Sequence, residues 1–289
     1  MNGSLVPFSL PALLRLLLWL CFLPALLDVD QTLAEPFDPL SPAAFEVDID
    51  EEDDTALFVV GNTLFAVFHE LGHALVDLLN LPIVGREEDA ADGFAAVLMI
   101  PPDPDPVRDQ LIVAVADGWR LQGEQTGDGV DQRPLWTEHT LDEQRYFAVI
   151  CWLVGSDQEG FFDLANEAGM PLERIESCAG DFDRMKAGWQ DLLRGHGADG
   201  SIDDRPIAVV FEQPYAEDVE AFEFARMGGV IERSVLHLSE NISLPEKVTV
   251  RFTSCDEANA FWYGAHRDVV ICYELIDDFI AVLLDNNGL

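Results

Sequence analysis

Basic residues are scarce in this chain. Its 289 residues carry 16 Lys and Arg against 54 Asp and Glu, a net charge of −38. Lys186 and Lys247 are its lysines. Nucleic acid is therefore not an expected partner, because its phosphates would be repelled. Neither is an anionic membrane surface. The acid is spread along the whole chain, so its simplest role is solubility, with salt screening the self-repulsion. Attraction of basic substrates is the functional alternative.

Long apolar runs are also few. Leu16 to Leu27 is one, preceded by Arg15 as its single charge. It is too short and too near the N-terminus for a typical spanning helix. It reads instead as a secretory signal over residues 1–34, cleaved after Ala34, with an uncleaved anchor as the alternative. No later stretch reads as long enough to cross a membrane, so no stable insertion is expected once the signal is removed. Cysteine is sparse and no C-x-x-C spacing occurs, which argues against a thiolate zinc site. Cys21 would leave with the signal. Cys151, Cys178, Cys255 and Cys272 remain, and an even count in an exported chain implies two disulfides. Proximity favours Cys151–Cys178 and Cys255–Cys272 among three possible pairings. No internal repeat is present.

What the chain does have is His69-Glu70-Leu71-Gly72-His73. Two histidines four residues apart on a helix share a face, one turn apart, and can ligate one metal ion. Glu70 can reach a water held at an open metal position. Such a pair can also be incidental, but three local features weigh against that. Leu64, Phe65, Phe68, Leu71, Leu75, Leu78 and Leu79 recur at helical spacing, with Asn62 as the expected N-cap and Pro82 beyond the end. Gly72 and Ala74 leave room for a substrate or a crossing backbone. A third ligand also follows nearby.

That ligand is expected from Arg86-Glu87-Glu88-Asp89-Ala90-Ala91-Asp92, which opens a helix running to about Ile100 and stopped by Pro101-Pro102. Acidic residues suit a helix N-terminus in any case. The sharper reading makes Glu88 the ligand completing a His-His-Glu zinc site, with Glu87 as the alternative. Asp92, one turn later, would accept a hydrogen bond from the free ring nitrogen of a ligating histidine.

Residues 35–54 read as an acidic, Pro-rich lead-in. Residues 55–194 read as mostly helical. Beyond the metal helices, Val107 to Gln122 and Asp181 to Leu193 have helical spacing, and Thr140-Leu141-Asp142-Glu143 is a capping-box pattern. Gly195 to Ser201 is a linker. In residues 201–289, Ile207 to Phe211 is a short β-branched run and Glu217 to Ser239 is helical, with a bend at Gly228-Gly229. Lys247 to Phe252 and Asp268 to Tyr273 alternate as strands, and Ile276 to Leu284 is a closing helix. The two strands imply a hairpin stapled by Cys255–Cys272. Asn259-Ala260-Phe261-Trp262 reads either as packing or as an edge strand able to bind an extended peptide.

Several segments carry a family likeness: HELGHALVDLLNLP (69–82), GREEDAADGFA (85–95), EHTLDEQRYFAVICWLVGSD (138–157), NAFW (259–262) and ICYEL (271–275). Together they resemble a family of uncharacterised bacterial proteins regarded as metallopeptidases of the zincin class. Glu88 with Asp92 is similar to the third-ligand helix of the thermolysin-like zincins, or gluzincins. The resemblance implies an α+β zincin-like fold, with the active-site helix beside a small mixed sheet. Zincins usually place the sheet first. Here the strands follow the helices, so the C-terminal part is expected to return and pack on the helical region.

The expected activity is zinc-dependent hydrolysis of a peptide or protein substrate by an exported or periplasmic enzyme, with Glu70 as general base. A zincin-fold binding module without turnover, or a structural envelope protein, is the alternative. The resemblance implies a histidine from a later helix as oxyanion donor. His139 is the first candidate, with a place in a surface turn as its other reading. Tyr146, Tyr263 and His266 are weaker candidates, and His196 and His237 read as structural.

Overall fold

The computed structural model describes residues 49–50, 53–125, 136–198 and 206–287. The expected signal segment, most of the lead-in and the end of the linker lie outside them.

Helix α1, Asp54–Leu79, is the axis of the fold. Its N-cap is Asp53, whose side chain accepts from the Ala56 N–H at 3.0 Å. This corrects the cap expected at Asn62. The helix starts two turns earlier because Ala56 to Val60 are all buried, and tertiary burial outweighs the lower helix propensity of Phe58, Val59 and Val60. Asn62 sits inside the helix, where its amide donates to the Phe58 and Ala114 carbonyls at 2.9 and 3.0 Å. The helix stops at Asn80, which adopts the left-handed conformation at φ 49°, a setting that asparagine tolerates better than most residues. Burial runs around nearly the whole circumference of α1, as in a core helix. By length and composition it could also cross a bilayer, contrary to the expectation for stretches after Leu27, but 89% of the qualifying window is buried within the protein.

Two helices pack along α1: α2, Glu87–Met99, and α3, Pro106–Gln125. Both approach closely because glycine removes the obstacle. A β-carbon on Gly61 would collide with the Leu111 carbonyl of α3. One on Gly72 would lie 3.1 Å from the Ala91 Cα of α2. The room left by Gly72 is thus filled by a crossing backbone. Next come α4 (Asp142–Ser156), α5 (Gln158–Glu167) and α6 (Leu172–Leu193). The capping interaction before α4 sits one residue later than the sequence pattern places it. The Gln144 side chain accepts from the Leu141 N–H at 3.2 Å. Helix α6 begins well before Asp181, and Cys178 within it is bonded to Cys151 of α4. The Trp189 indole of α6 donates to the Ala90 carbonyl at 3.0 Å, steadying the first turn of α2.

The C-terminal part makes the fold α+β. Strand β1 (Ile207–Phe211) leads through α7 (Val219–Arg226), a 3₁₀ turn at Met227–Gly229 and α8 (Val230–Asn241) to β2 (Val248–Thr253). Gly228 and Gly229 carry φ 56° and 62° at the bend. Strand β3 (Ala260–Tyr263), β4 (Asp268–Cys272) and α9 (Tyr273–Asn287) complete the chain. The sheet order is β1-β2-β4-β3. The expected hairpin between β2 and β4 is not formed. Those strands pair in parallel, with Val250 opposite Val269, and the hairpin partner of β4 is β3. A parallel pair needs a long connection, and residues 254–267 supply it by running out to the sheet edge and back. The Cys255–Cys272 bridge joins that excursion to the end of β4. Strands β3 and β4 and helix α9 pack on α1, so the sheet edge lies beside the HELGH turn.

Candidate metal centre

The four-residue spacing places His69 and His73 on one face of α1, toward the first turn of α2. Their Nε2 atoms are 3.2 Å apart. Glu88 Oε2 lies 3.2 Å from His69 Nε2 and 3.5 Å from His73 Nε2. The three donor atoms fall within 4.8 Å of one another. Each histidine uses its other nitrogen on a carboxylate: His69 Nδ1 is 2.8 Å from Asp92 Oδ1, and His73 Nδ1 is 2.8 Å from Glu87 Oε1. In the neutral rings the Nδ1–H groups serve Asp92 and Glu87, which leaves each Nε2 as a lone pair. Two lone pairs and a carboxylate oxygen then face one another, an arrangement that could hold a metal ion. Glu88 thus lies against the Nε2 atoms of both histidines, and Asp92 against Nδ1 of His69. Glu87, the alternative ligand, is placed on the far nitrogen of His73.

The electrostatics express the same crowding. Burial opposes charge on His73, but hydrogen bonds with Glu88 and Glu87 overcome it and push its pKa up to about 9. Burial likewise opposes charge on His69, and its bonds with Asp92 and Glu88 raise the pKa nonetheless. Hydrogen bonds from His139, His69 and His73 hold the Glu88 carboxyl far below the usual range. Protons and a metal ion would compete for this cluster.

Glu70 belongs to neither set. Its carboxylate is 4.0 Å from His69 Nε2. Burial raises its pKa, against the pull of His69 and His73, and the Trp262 backbone N–H of β3 donates to it. That strand is pinned to α1 a second time, since the Trp262 indole donates to Asp77 at 2.9 Å. The edge strand is Ala260–Tyr263, one residue later than the expected Asn259 to Trp262, and it reaches the HELGH turn directly.

Asp92 has a further partner that the sequence did not disclose. Arg145 of α4 is buried and donates through Nε to Asp92 Oδ2 at 2.7 Å and through its terminal nitrogen to Oδ1. Its guanidinium carbon lies 3.5 Å from the centroid of the Trp119 ring of α3. Burial alone would raise the Asp92 carboxyl, but Arg145 and His69 hold it below its ordinary value. A buried arginine leaves one local signal, a single charge on the inward face of an amphipathic helix, and that signal names no partner.

His139 is brought to the cluster from the loop before α4. Its Nε2 is 3.0 Å from Glu88 Oε2, and its side chain is 56% exposed. Tyr146, Tyr263 and His266 do not join the cluster. Tyr263 and His266 pack against each other, their rings tilted by 48° with centroids 4.4 Å apart. His237 lies 3.2 Å from the Asn241 amide, and the backbone of His196 bonds Leu193 and Ser243. Glu274 lies beside Cys255 and Cys272, but both cysteines are in the disulfide, and the carboxylate accepts from the Cys255 and Asp256 N–H groups.

Comparison with known proteins adds one positive finding. A family model described as "Putative metallopeptidase" matches residues 41–193 and 212–288. No curated protein and no solved structure matches the chain.

Proposed function

Because this chain belongs to the family so described, we propose that it is an exported, zinc-dependent, gluzincin-like peptidase that hydrolyses amide bonds with Glu70 as general base. The observation carrying this reading is the set of three lone-pair donors converging between α1 and α2, with a carboxylate beside them that takes no part in the set. The donor chemistry fits zinc. Bonds of roughly 2.0–2.2 Å in a tetrahedron separate donors by roughly 3.3–3.6 Å, and the observed separations are 3.2, 3.2 and 3.5 Å. His69, His73 and Glu88 would hold the ion.

Zinc, when bound, supplies Lewis acidity, lowering the pKa of water and polarising a carbonyl. The remaining work falls to the chain. Glu70 accepts the proton of the attacking water and delivers it to the leaving amine, and its burial raises its basicity for the first step. The Trp262 N–H fixes the orientation of that carboxylate. Asp92, clamped by Arg145, fixes the tautomer and ring plane of His69, as Glu87 does for His73. His139, 56% exposed and 3.0 Å from Glu88, is the candidate donor to the oxyanion. The leading apolar run and two disulfides support export.

One observation favours a second reading, a silent zinc-binding module. His139 touches Glu88, and a fourth protein ligand would close the site against water. Against it, His139 is not among the donors that converge within 4.8 Å. The two readings part in a simple assay. The zinc-loaded chain should cleave a broad peptide library, lose cleavage on chelation and regain it with zinc. Absence of chelator-sensitive cleavage would favour the silent module.

A further inference from the structure

The two disulfides differ in setting. Cys151 of α4 and Cys178 of α6 are both buried, at 1% and 0% exposure, between two packed helices. Cys272 is equally buried at the end of β4, but its partner Cys255 is partly exposed near the start of the connection between β2 and β4. Of the four bonded cysteines, Cys255 is the one that is not buried. A thiol from outside can therefore meet one bridge and not the other.

The exposed bridge sits where it bears on β3. The connection carries β3 at the outer edge of the sheet, paired with β4 from Ala260 to Tyr263. Several ties hold it. Trp262 is bonded to α1 twice, through its backbone N–H to Glu70 and through its indole to Asp77. Beyond β3, Arg267 pairs with Glu246. Before β3, the Cys255–Cys272 bridge is the covalent tie. It is backed by Ser254, which bonds Asp218, and by Glu274, which accepts from the Cys255 and Asp256 N–H groups at 2.8 and 2.6 Å. With the bridge opened, β3 would keep its hydrogen bonds but lose its fixed starting point, and a short edge strand opens locally at low cost.

We propose that Cys255–Cys272 is a thiol–disulfide exchange site, opened by a dithiol reductant, and that its opening loosens the grip of β3 on Glu70. The thiolate of the reductant attacks Cys255 Sγ. The bond between Cys255 and Cys272 breaks, Cys272 leaves as a thiolate and takes up a proton, and the reductant stays bonded to Cys255. Its second thiol then displaces Cys255, so the chain gains two electrons and two protons and the reductant closes into its own disulfide. The leaving sulfur lies immediately before α9, a 15-residue helix whose first N–H groups favour negative charge. Glu274 opposes that charge from within 4.8 Å, though its own is shared with the two N–H groups it accepts from. The buried bridge between α4 and α6 is the permanent one. The exchange site stands on this geometry alone, whereas its effect on catalysis rests on the peptidase reading.

The test starts from the intact chain in dithiothreitol, quenched at intervals with iodoacetamide and mapped by mass spectrometry. Cys255 and Cys272 should be labelled at least tenfold faster than Cys151 and Cys178. Glutathione, a monothiol, should be trapped on Cys255 and not on Cys272. Hydrogen exchange across residues 260–263 should rise at least tenfold in the selectively opened chain, with α4 and α6 unchanged. After removal of the reductant and reloading with zinc, kcat should fall at least threefold with KM little changed, and oxidised glutathione should restore it. A double variant, Cys255→Ser with Cys272→Ser, of unchanged circular dichroism should match the opened chain in hydrogen exchange and in kcat. Equal labelling of the two bridges, or faster labelling of Cys151 and Cys178, overturns the exchange site. Selective opening that leaves exchange at 260–263 unaltered overturns the control of β3. A loosened β3 with undiminished kcat overturns the link to catalysis and leaves the peptidase reading standing. If no peptide is cut in any state, the peptidase reading fails, and labelling and hydrogen exchange still decide the role of the bridge.

Discussion

Glu70→Gln should lower kcat for peptide hydrolysis by about 10²–10⁴-fold, the usual contribution of a positioned general base. Zinc affinity should stay within a few-fold of wild type, because Glu70 lies outside the proposed triad of ligands, at 4.0 Å from His69 Nε2. Glutamine retains the volume and the carbonyl oxygen that accepts from the Trp262 N–H, so the edge strand keeps its anchor. What is lost is the capacity to hold a proton. KM should change little, since the carboxylate acts on the water and the leaving group and not on the bound peptide. Steady-state kinetics beside a zinc titration of the same preparation make the comparison. A Glu70→Gln chain that cleaves at the wild-type rate removes Glu70 from the mechanism, and one that no longer holds zinc makes it a ligand.

Arg145→Ala should destabilise the fold by about 3–5 kcal/mol, because it leaves the buried Asp92 carboxylate without its partner. It also removes the cation stacked on Trp119. The pH dependence identifies the cause. Asp92 is held below its ordinary value of 3.8 in the folded chain, so the pairing stabilises the fold above that pH and is lost as the carboxyl is protonated below it. The gap between wild type and variant should therefore be full at pH 7 and close as the pH falls through the carboxylate range. Urea titrations at several pH values measure it. A gap that stays constant down to acid pH would assign the loss to packing alone. Zinc affinity should fall about 10–100-fold in the same variant, as expected when a carboxylate orienting a ligand is released.

The parts of this site that the sequence reveals are those created by short spacing. His69 and His73 meet because four residues make one helical turn. Glu88 and Asp92 stand one turn apart on the next helix, so one faces the cluster and the other backs His69. Arg145 escapes the same reasoning. It meets Asp92 across 53 positions, and nothing in the local pattern of α4 names that partner. The Trp262 N–H and Asp77 contacts depend on the sheet edge returning to α1, also a long-range event. Strand alternation marked β2 and β4, but period two says nothing about which strand pairs with which, or in which direction. The placement of β3 outside β4 reversed the expected hairpin for that reason. The N-cap of α1 was misplaced at Asn62 because burial of Ala56 to Val60 extends the helix, and burial is decided by neighbours far away in the chain.

Zinc titration of the purified chain, by calorimetry and by metal analysis, reaches the foundation of this mechanism. Wild type should bind one equivalent, and its melting temperature should rise with zinc concentration, as binding to the folded state requires. His69→Ala and Glu88→Ala should each weaken that binding strongly. A chain that takes up no divalent ion, or that binds it equally well after both histidines are replaced, would contradict the proposed site and the chemistry built on it.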